Sequence, residues 1–168
     1  QMCIRDSHEL PATELTWASA LQTSDRSWST AAFGKWHLTS YVMEGHRSHA
    51  NRHGFDHFDG TIPNPPSFHL WQRTRNGMTQ PSTQYHTNVM LEATVQWLQT
   101  AEEPWFVYVP FFAAHAPWHT PPQNFTYTDV TEGDDSQELD WMLETVDISI
   151  GATLASLPPA VRANTLVV

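Results

Sequence analysis

Lys35 and His37 are the residues from which chemistry could start. They follow an apolar run, Ala31-Ala32-Phe33, and a glycine, Gly34. If that run is a buried strand, glycine's conformational freedom lets the backbone leave the sheet at that point. In an extended continuation Lys35 and His37 point to one side while Trp36 points to the other. An ammonium beside an imidazole is a donor pair for an anion, and the indole anchors it. Ligands of open parallel sheets bind beyond the carboxyl ends of the strands, which is where such a pair sits. The competing reading is an exposed lysine beside a packed histidine. Two further histidines, His115 and His119, stand in a proline-rich stretch behind a second apolar run. Four more, His46, His49, His53 and His57, recur at three- and four-residue steps, the spacing by which a helix would present them to a metal. Gly45, Gly54 and the polar residues around them argue against a helix there.

The elements that must position these groups are read from periodicity. Leu15, Ala18 and Leu21 predict a short amphipathic helix between Thr13 and Ser24. Trp28 to Phe33 predicts a strand ended by Gly34. From Thr39 to Gln84 the text turns to His, Asn, Pro and Gly, which predicts an ordered loop region with little regular structure. Inside it, Gly54-Phe55-Asp56-His57-Phe58-Asp59-Gly60 reads as a loop whose phenylalanines plug onto the core. Leu91, Val95 and Leu98 predict a helix over 88–99. Trp105 to Phe112 is apolar almost throughout and predicts a strand buried on both faces, as in a parallel sheet covered by helices.

Asp135 and Glu138 form a plausible capping pair for the next helix. Along it Leu139, Leu143, Val146, Ile150, Leu154 and Leu157 make an apolar stripe, expected to face the core. Asp140, Glu144 and Asp147 run along another face, expected to be solvated or at the core rim. Pro158-Pro159 stops that helix, and Asn164 to Val168 predicts a third strand. Strand, helix, strand, helix, strand winds an α/β fold around a mostly parallel sheet flanked by helices. The loops after Phe33 and Phe112 then leave the same edge, and Lys35 and His37 can meet His115.

The chain has 168 residues and 40% hydrophobic residues, enough for one domain with a sizeable core. Its formal net charge of −10 argues against a general nucleic-acid binder, which shows a basic face. The same charge means that an anionic substrate must be held by local cations or a metal. No apolar run approaches the length of a bilayer span. Gln1 to Ser7 has no periodicity and reads as a non-native segment from the end of a sequencing read; it holds Cys3, the single cysteine, so residues 8–168 offer neither disulfide nor thiol nucleophile. The strand expected at 164–168 ends with the chain, so residues 8–168 read as a partial domain truncated at both ends.

Gly34-Lys35-Trp36-His37-Leu38 after an apolar strand, the 54–60 segment, an apolar strand leading into His115-Ala116-Pro117, and a helix carrying Val146-Asp147 ahead of Asn164-Thr165-Leu166-Val167-Val168 occur together and in order. The chain thereby resembles the sulfatases of the alkaline-phosphatase-like fold, over nearly all of residues 13–168. Sulfatases cleave sulfate esters with a formylglycine, made from cysteine or serine in a CxPSR-like motif, beside a calcium ion. The resemblance implies that Lys35 contacts sulfate oxygens, that His37 is a base for release of sulfate, and that His115 contacts the sulfate and assists the leaving oxygen. Asn64, in the loop after the 54–60 segment, matches a polar substrate contact of some members, and is otherwise a turn residue. It also implies a sulfate-ester substrate, including sulfated carbohydrates, and a periplasmic or secreted location.

The match departs from the family pattern at two places. Thr39 stands where glycine is usual, and Ala114 replaces the first proline of the PHxP motif, which leaves His119-Thr120-Pro121 as a rival to His115. Cys3 does not fit the formylglycine motif, because arginine and serine stand where proline and arginine belong. The calcium ligands and the nucleophile are therefore expected outside these residues, with no metal ligand within them, and the chain alone is expected to be inactive. Three alternatives stay open: a phosphoesterase or phosphonate hydrolase of the same fold, a non-catalytic relative that binds sulfated glycans, and a histidine metal-binding module.

Overall fold

Ala31, Ala32 and Phe33 have no accessible surface in the computed structural model, which describes residues 9–40, 43–131 and 136–168. They lie in β1 (Ser29–Lys35), and a strand this buried needs neighbours on both edges and cover on both faces. It pairs in parallel with β2 (His57–Thr61) on one side and with β5 (Trp105–Tyr108) on the other. An antiparallel hairpin, β3 (Trp71–Arg75) and β4 (Met78–Ser82), extends the sheet beyond β2, giving the order β4-β3-β2-β1-β5. The α/β expectation is met, with a parallel centre and an antiparallel margin.

One face of the sheet is covered by α1 (Trp17–Gln22) and α2 (His49–Arg52), where Ala18, Ala32, Trp36, Ala50, Phe55, Phe58 and Ile62 form a core. Thr16 and Ser19 close a reciprocal capping box on α1, and the Thr16 hydroxyl donates to the His53 carbonyl at 2.6 Å, tying α1 to the end of α2. The other face meets α3 (His86–Leu98), through Phe33 against Trp97 and through the cluster of Trp71, Val89 and Met90. The long helix α4 (Glu138–Ser156) packs on α3, and α5 (Pro159–Ala163) follows.

Several expectations are corrected. The 39–84 region holds three strands, a 3₁₀ turn at His46–Ser48 and the short helix α2, so its polar text conceals regular structure. The 54–60 segment supplies β2. Its Phe58 faces the α1 and α2 core, while its Asp59, 1% exposed, is held by Arg73 through two bonds of 2.7 Å and by Arg75 at 2.9 Å. A carboxylate so buried is tolerable only when paired. Gly34 lies inside β1 rather than ending it. At φ +135° an added Cβ would sit 2.1 Å from the Pro110 carbonyl oxygen, so glycine is needed for the close approach of the 110 loop.

β5 stops at Tyr108, well short of Phe112, and is half-buried because it forms an edge of the described sheet. Residues 164–168 make no strand and are largely exposed. The apolar stripe of α4 faces the core only in part: Leu157 is buried and Leu139, Val146 and Leu154 are half-buried, but Leu143 and Ile150 are 52% and 42% exposed, and the helix buries Trp141, Met142, Thr145 and Ser149 instead. Thr145 and Ser149 bury at little cost because each hydroxyl donates to the carbonyl four residues earlier, at 2.9 and 2.7 Å. The N-cap of α4 is Gln137, and Asp135 lies outside the described residues, as do Gln1–Ser7.

Candidate functional site

At the carboxyl end of β1 the backbone is fixed from both sides. The Lys35 amide donates to the Pro110 carbonyl at 2.8 Å, and the Trp36 amide donates to the Thr61 carbonyl, also at 2.8 Å. Lys35, Trp36, His37 and Leu38 together with Tyr108, Pro110 and Phe111 line an open cavity of about 250 Å³ between the exits of β1 and β5. Alternation then separates the side chains. Trp36 turns into the α2 face, where its indole N–H donates to His49 Nδ1 at 3.0 Å. Lys35 turns to the opposite face, and its Nζ lies 5.3 Å from the centre of the Phe112 ring. Burial lowers the Lys35 pKa from its ordinary value.

Phe112 is the hinge of the arrangement. It is 2% exposed, stacks on His115 with ring centres 5.1 Å apart, and stacks on Phe68 at 4.5 Å. Lys35 and His115, 80 residues apart in the chain, thus share one aromatic ring at the carboxyl edge of parallel β1 and β5. The His115 ring is exposed, with Nδ1 2.6 Å from the Ala116 carbonyl oxygen. A carbonyl can only accept, so Nδ1 carries the proton in the neutral ring and Nε2 is the nitrogen that exchanges one.

His119 is placed differently. Its ring lies 4.2 Å from Phe68, Nδ1 is 3.3 Å from the Pro117 carbonyl, and Nε2 is 3.2 Å from the Tyr85 hydroxyl. Burial lowers its pKa, the Pro117 carbonyl opposes that shift, and the nearby His69 adds to it. His37 is exposed on the cavity wall. Asn64 is exposed in the loop leaving β2, three residues past Thr61, and the register of Lys35 with Thr61 puts that loop beside the exit of β1.

The four-histidine spacing does not build a metal centre. His49 accepts the Trp36 indole on Nδ1, so Nε2 holds its proton and faces the Leu10 carbonyl at 3.2 Å. His53 packs on His49 at 4.4 Å, His46 Nδ1 meets the Met43 carbonyl, and His57 lies tilted against Phe33 on the neighbouring strand at 5.4 Å. Among the described residues no three His, Cys, Asp or Glu side chains converge on a point where a cation could sit.

His86 escaped the sequence reading. It opens α3, is 1% exposed, lies between Trp71 at 4.4 Å and Phe112 at 5.8 Å, and neither ring nitrogen has a hydrogen-bond partner among the described residues. Burial lowers its pKa to about 4. Its position one residue after Tyr85, at the start of a helix, carried no chemical signal.

The sulfatase family model matches residues 18–168, and the chain belongs to that family of sulfuric ester hydrolases. No curated protein matches it. Among solved structures, Ps i-CgsB in complex with k-i-k-neocarrahexaose superposes with a TM-score of 0.62 at 19% identity, over 77% of this chain and 33% of that one. BT33494S-sulf, from work on the metabolism of multiple glycosaminoglycans by Bacteroides thetaiotaomicron, gives 0.71 at 12% identity, over 92% and 40%. BT4656 in complex with its substrate, D-glucosamine-2-N,6-O-disulfate, gives 0.52 at 17% identity, over 94% and 37%. The fold is thus the alkaline-phosphatase-like fold of the sulfatases, and the chain spans between a third and two fifths of each of these proteins.

Proposed function

We propose that the chain carries the sulfate-holding half of a sulfuric ester hydrolase active site. The observation that supports this most is the meeting of Lys35 and His115 on Phe112 at the carboxyl edge of β1 and β5. In this reading the Lys35 ammonium holds sulfate oxygens, and its partial burial strengthens that attraction relative to water. With Nδ1 on the Ala116 carbonyl, His115 keeps Nε2 for the substrate. It delivers a proton to the oxygen that departs as the S–O bond breaks, the general-acid role an imidazole can fill. His37 serves as the base in release of sulfate, and Asn64 is a further substrate contact.

Calcium and a formylglycine nucleophile belong to the reading as what the family implies. The described residues do not fit either group, so the steps assigned here concern this chain's own side chains. The substrate class follows the structural neighbours, which were solved with k-i-k-neocarrahexaose and with D-glucosamine-2-N,6-O-disulfate, and a sulfated carbohydrate is proposed. A periplasmic or secreted location is proposed with it; no described helix is long and apolar enough to cross a membrane.

Expression of the complete reading frame that encodes these residues tests the assignment. Hydrolysis of an aryl sulfate is expected to exceed that of the matching aryl phosphate, and Lys35→Ala or His115→Ala is expected to lower it by about 100-fold or more. Faster phosphate hydrolysis would move the protein to the phosphoesterase branch. The 168 residues alone are expected to show no aryl sulfate turnover above a Lys35→Ala control, and turnover above that control overturns the division of the site.

A further inference from the structure

The acidic row of α4 is unused by the chemistry above, yet two of its members are fully engaged. Glu144 Oε2 accepts the backbone N–H groups of Tyr127 at 2.8 Å and Thr128 at 3.2 Å, and the Thr128 hydroxyl donates to Oε1 at 3.0 Å. One turn further, Asp147 Oδ2 accepts the Tyr127 hydroxyl at 2.6 Å. A carboxylate on a backbone N–H is roughly twice as strong as a neutral acceptor. Beyond the 3₁₀ turn at Gln123–Phe125 the strap has no helix or strand that would satisfy the Tyr127 and Thr128 amides. Gln123 closes the strap on itself, its amide donating to Thr126 Oγ1 at 3.1 Å and its carbonyl accepting the Val130 N–H at 2.9 Å.

The strap continues into the proposed site. Phe125 is 9% exposed and its ring lies 6.2 Å from that of Tyr85. The Tyr85 hydroxyl in turn meets His119 Nε2. We propose that Glu144 and Asp147 are positioning residues: by clasping residues 127 and 128 they hold Phe125 against Tyr85, which seats His119 and with it the loop that presents His115. The proposal rests on the reading that this loop belongs to the active site.

Isotope-labelled chain, wild type and three variants, tests it without any need for turnover, so failure of the hydrolase reading leaves the test intact. Glu144→Ala is expected to speed amide exchange at Tyr127 and Thr128 at least tenfold. It should also raise the His119 titration, followed by imidazole NMR, towards the ordinary histidine range. Glu144→Gln, whose carbonyl still accepts both N–H groups, should restore most of each effect. Tyr127→Phe, which removes only the Asp147 contact and leaves α4 untouched, should give a smaller shift in the same direction. Unchanged exchange in Glu144→Ala overturns the clasp; faster exchange with an unmoved His119 titration reduces it to a local anchor and overturns the positioning role. Where a preparation has aryl sulfatase activity, Glu144→Ala should lower kcat with Glu144→Gln recovering it, and equal activity of all three forms overturns the proposal.

Discussion

Two histidine sites diverge from adjacent residues of one strand end. On the α2 side Trp36 locks His49, and His53 packs on that ring; both histidines are at most 2% exposed and burial lowers both pKa values. On the α3 side Lys35 meets Phe112 and His115, whose ring is open to solvent and whose Nε2 is left to exchange a proton. In the proposed reading the same residue type is mortar on one face and reagent on the other. Burial and the tautomer fixed by the neighbouring group decide which, and sequence spacing does not: the regularly spaced set is the structural one.

Breaking the junction itself should have the largest effect. Gly34→Ala places a methyl against the Pro110 carbonyl in a conformation side chains rarely adopt, and a loss of about 4 kcal/mol or more in urea unfolding is expected, abolishing both sites together. Acid should come next and should strike the buried histidines only. His86 is neutral in the folded chain with a pKa of about 4, against an ordinary 6.5 when unfolded. The unfolded state therefore takes up the proton first as pH falls, and stability held above pH 6.5 is lost progressively down to about pH 4, by roughly 3 kcal/mol. A His86→Phe variant should flatten that part of the stability curve; an unchanged slope would mean another group governs it.

Trp36→Phe keeps most of the packing but strips His49 Nδ1 of its donor, and a loss of about 1–3 kcal/mol is expected. Lys35→Met sharpens the contrast from the other side. It should change unfolding by no more than about 0.5 kcal/mol while removing sulfate binding measured by titration calorimetry on the complete protein. Equal stability losses in Trp36→Phe and Lys35→Met would erase the distinction between the two faces.

The pattern of what could be read follows from locality. β1, α3 and the start of β5 are legible because their cores are contiguous or periodic, and Lys35 and His37 stand out because a glycine and an indole frame them. β2 is hidden because its Asp59 is buried only by virtue of Arg73 and Arg75, 14 and 16 residues away. The β3–β4 hairpin did leave a local signal, Asn76-Gly77 with φ of +44° and +85°, the residue pair that favours a tight hairpin turn. Polar strands on either side masked it. The face of α4 was misjudged because leucine spacing shows a stripe but not its direction, and the Thr145 and Ser149 hydroxyls satisfy themselves on their own helix. The approach of Lys35 and His115 to one ring, Phe112, depends on the parallel pairing of β1 with β5, which the apolar runs suggested although the third strand expected at 164–168 does not form.

The Asn76-Gly77 turn has a consequence in time rather than in space. Its side-chain carbonyl accepts the Phe58 amide at 2.7 Å and the Asn51 amide at 3.2 Å, so it joins the hairpin to β2 and α2. An asparagine followed by glycine is also the pair most prone to cyclise and lose ammonia, because glycine leaves the attacking nitrogen unhindered. The residue that fastens the antiparallel margin to the parallel centre is thus the one expected to deamidate first once those bonds open, and peptide mapping of a stored sample should find the extra negative charge at that seam.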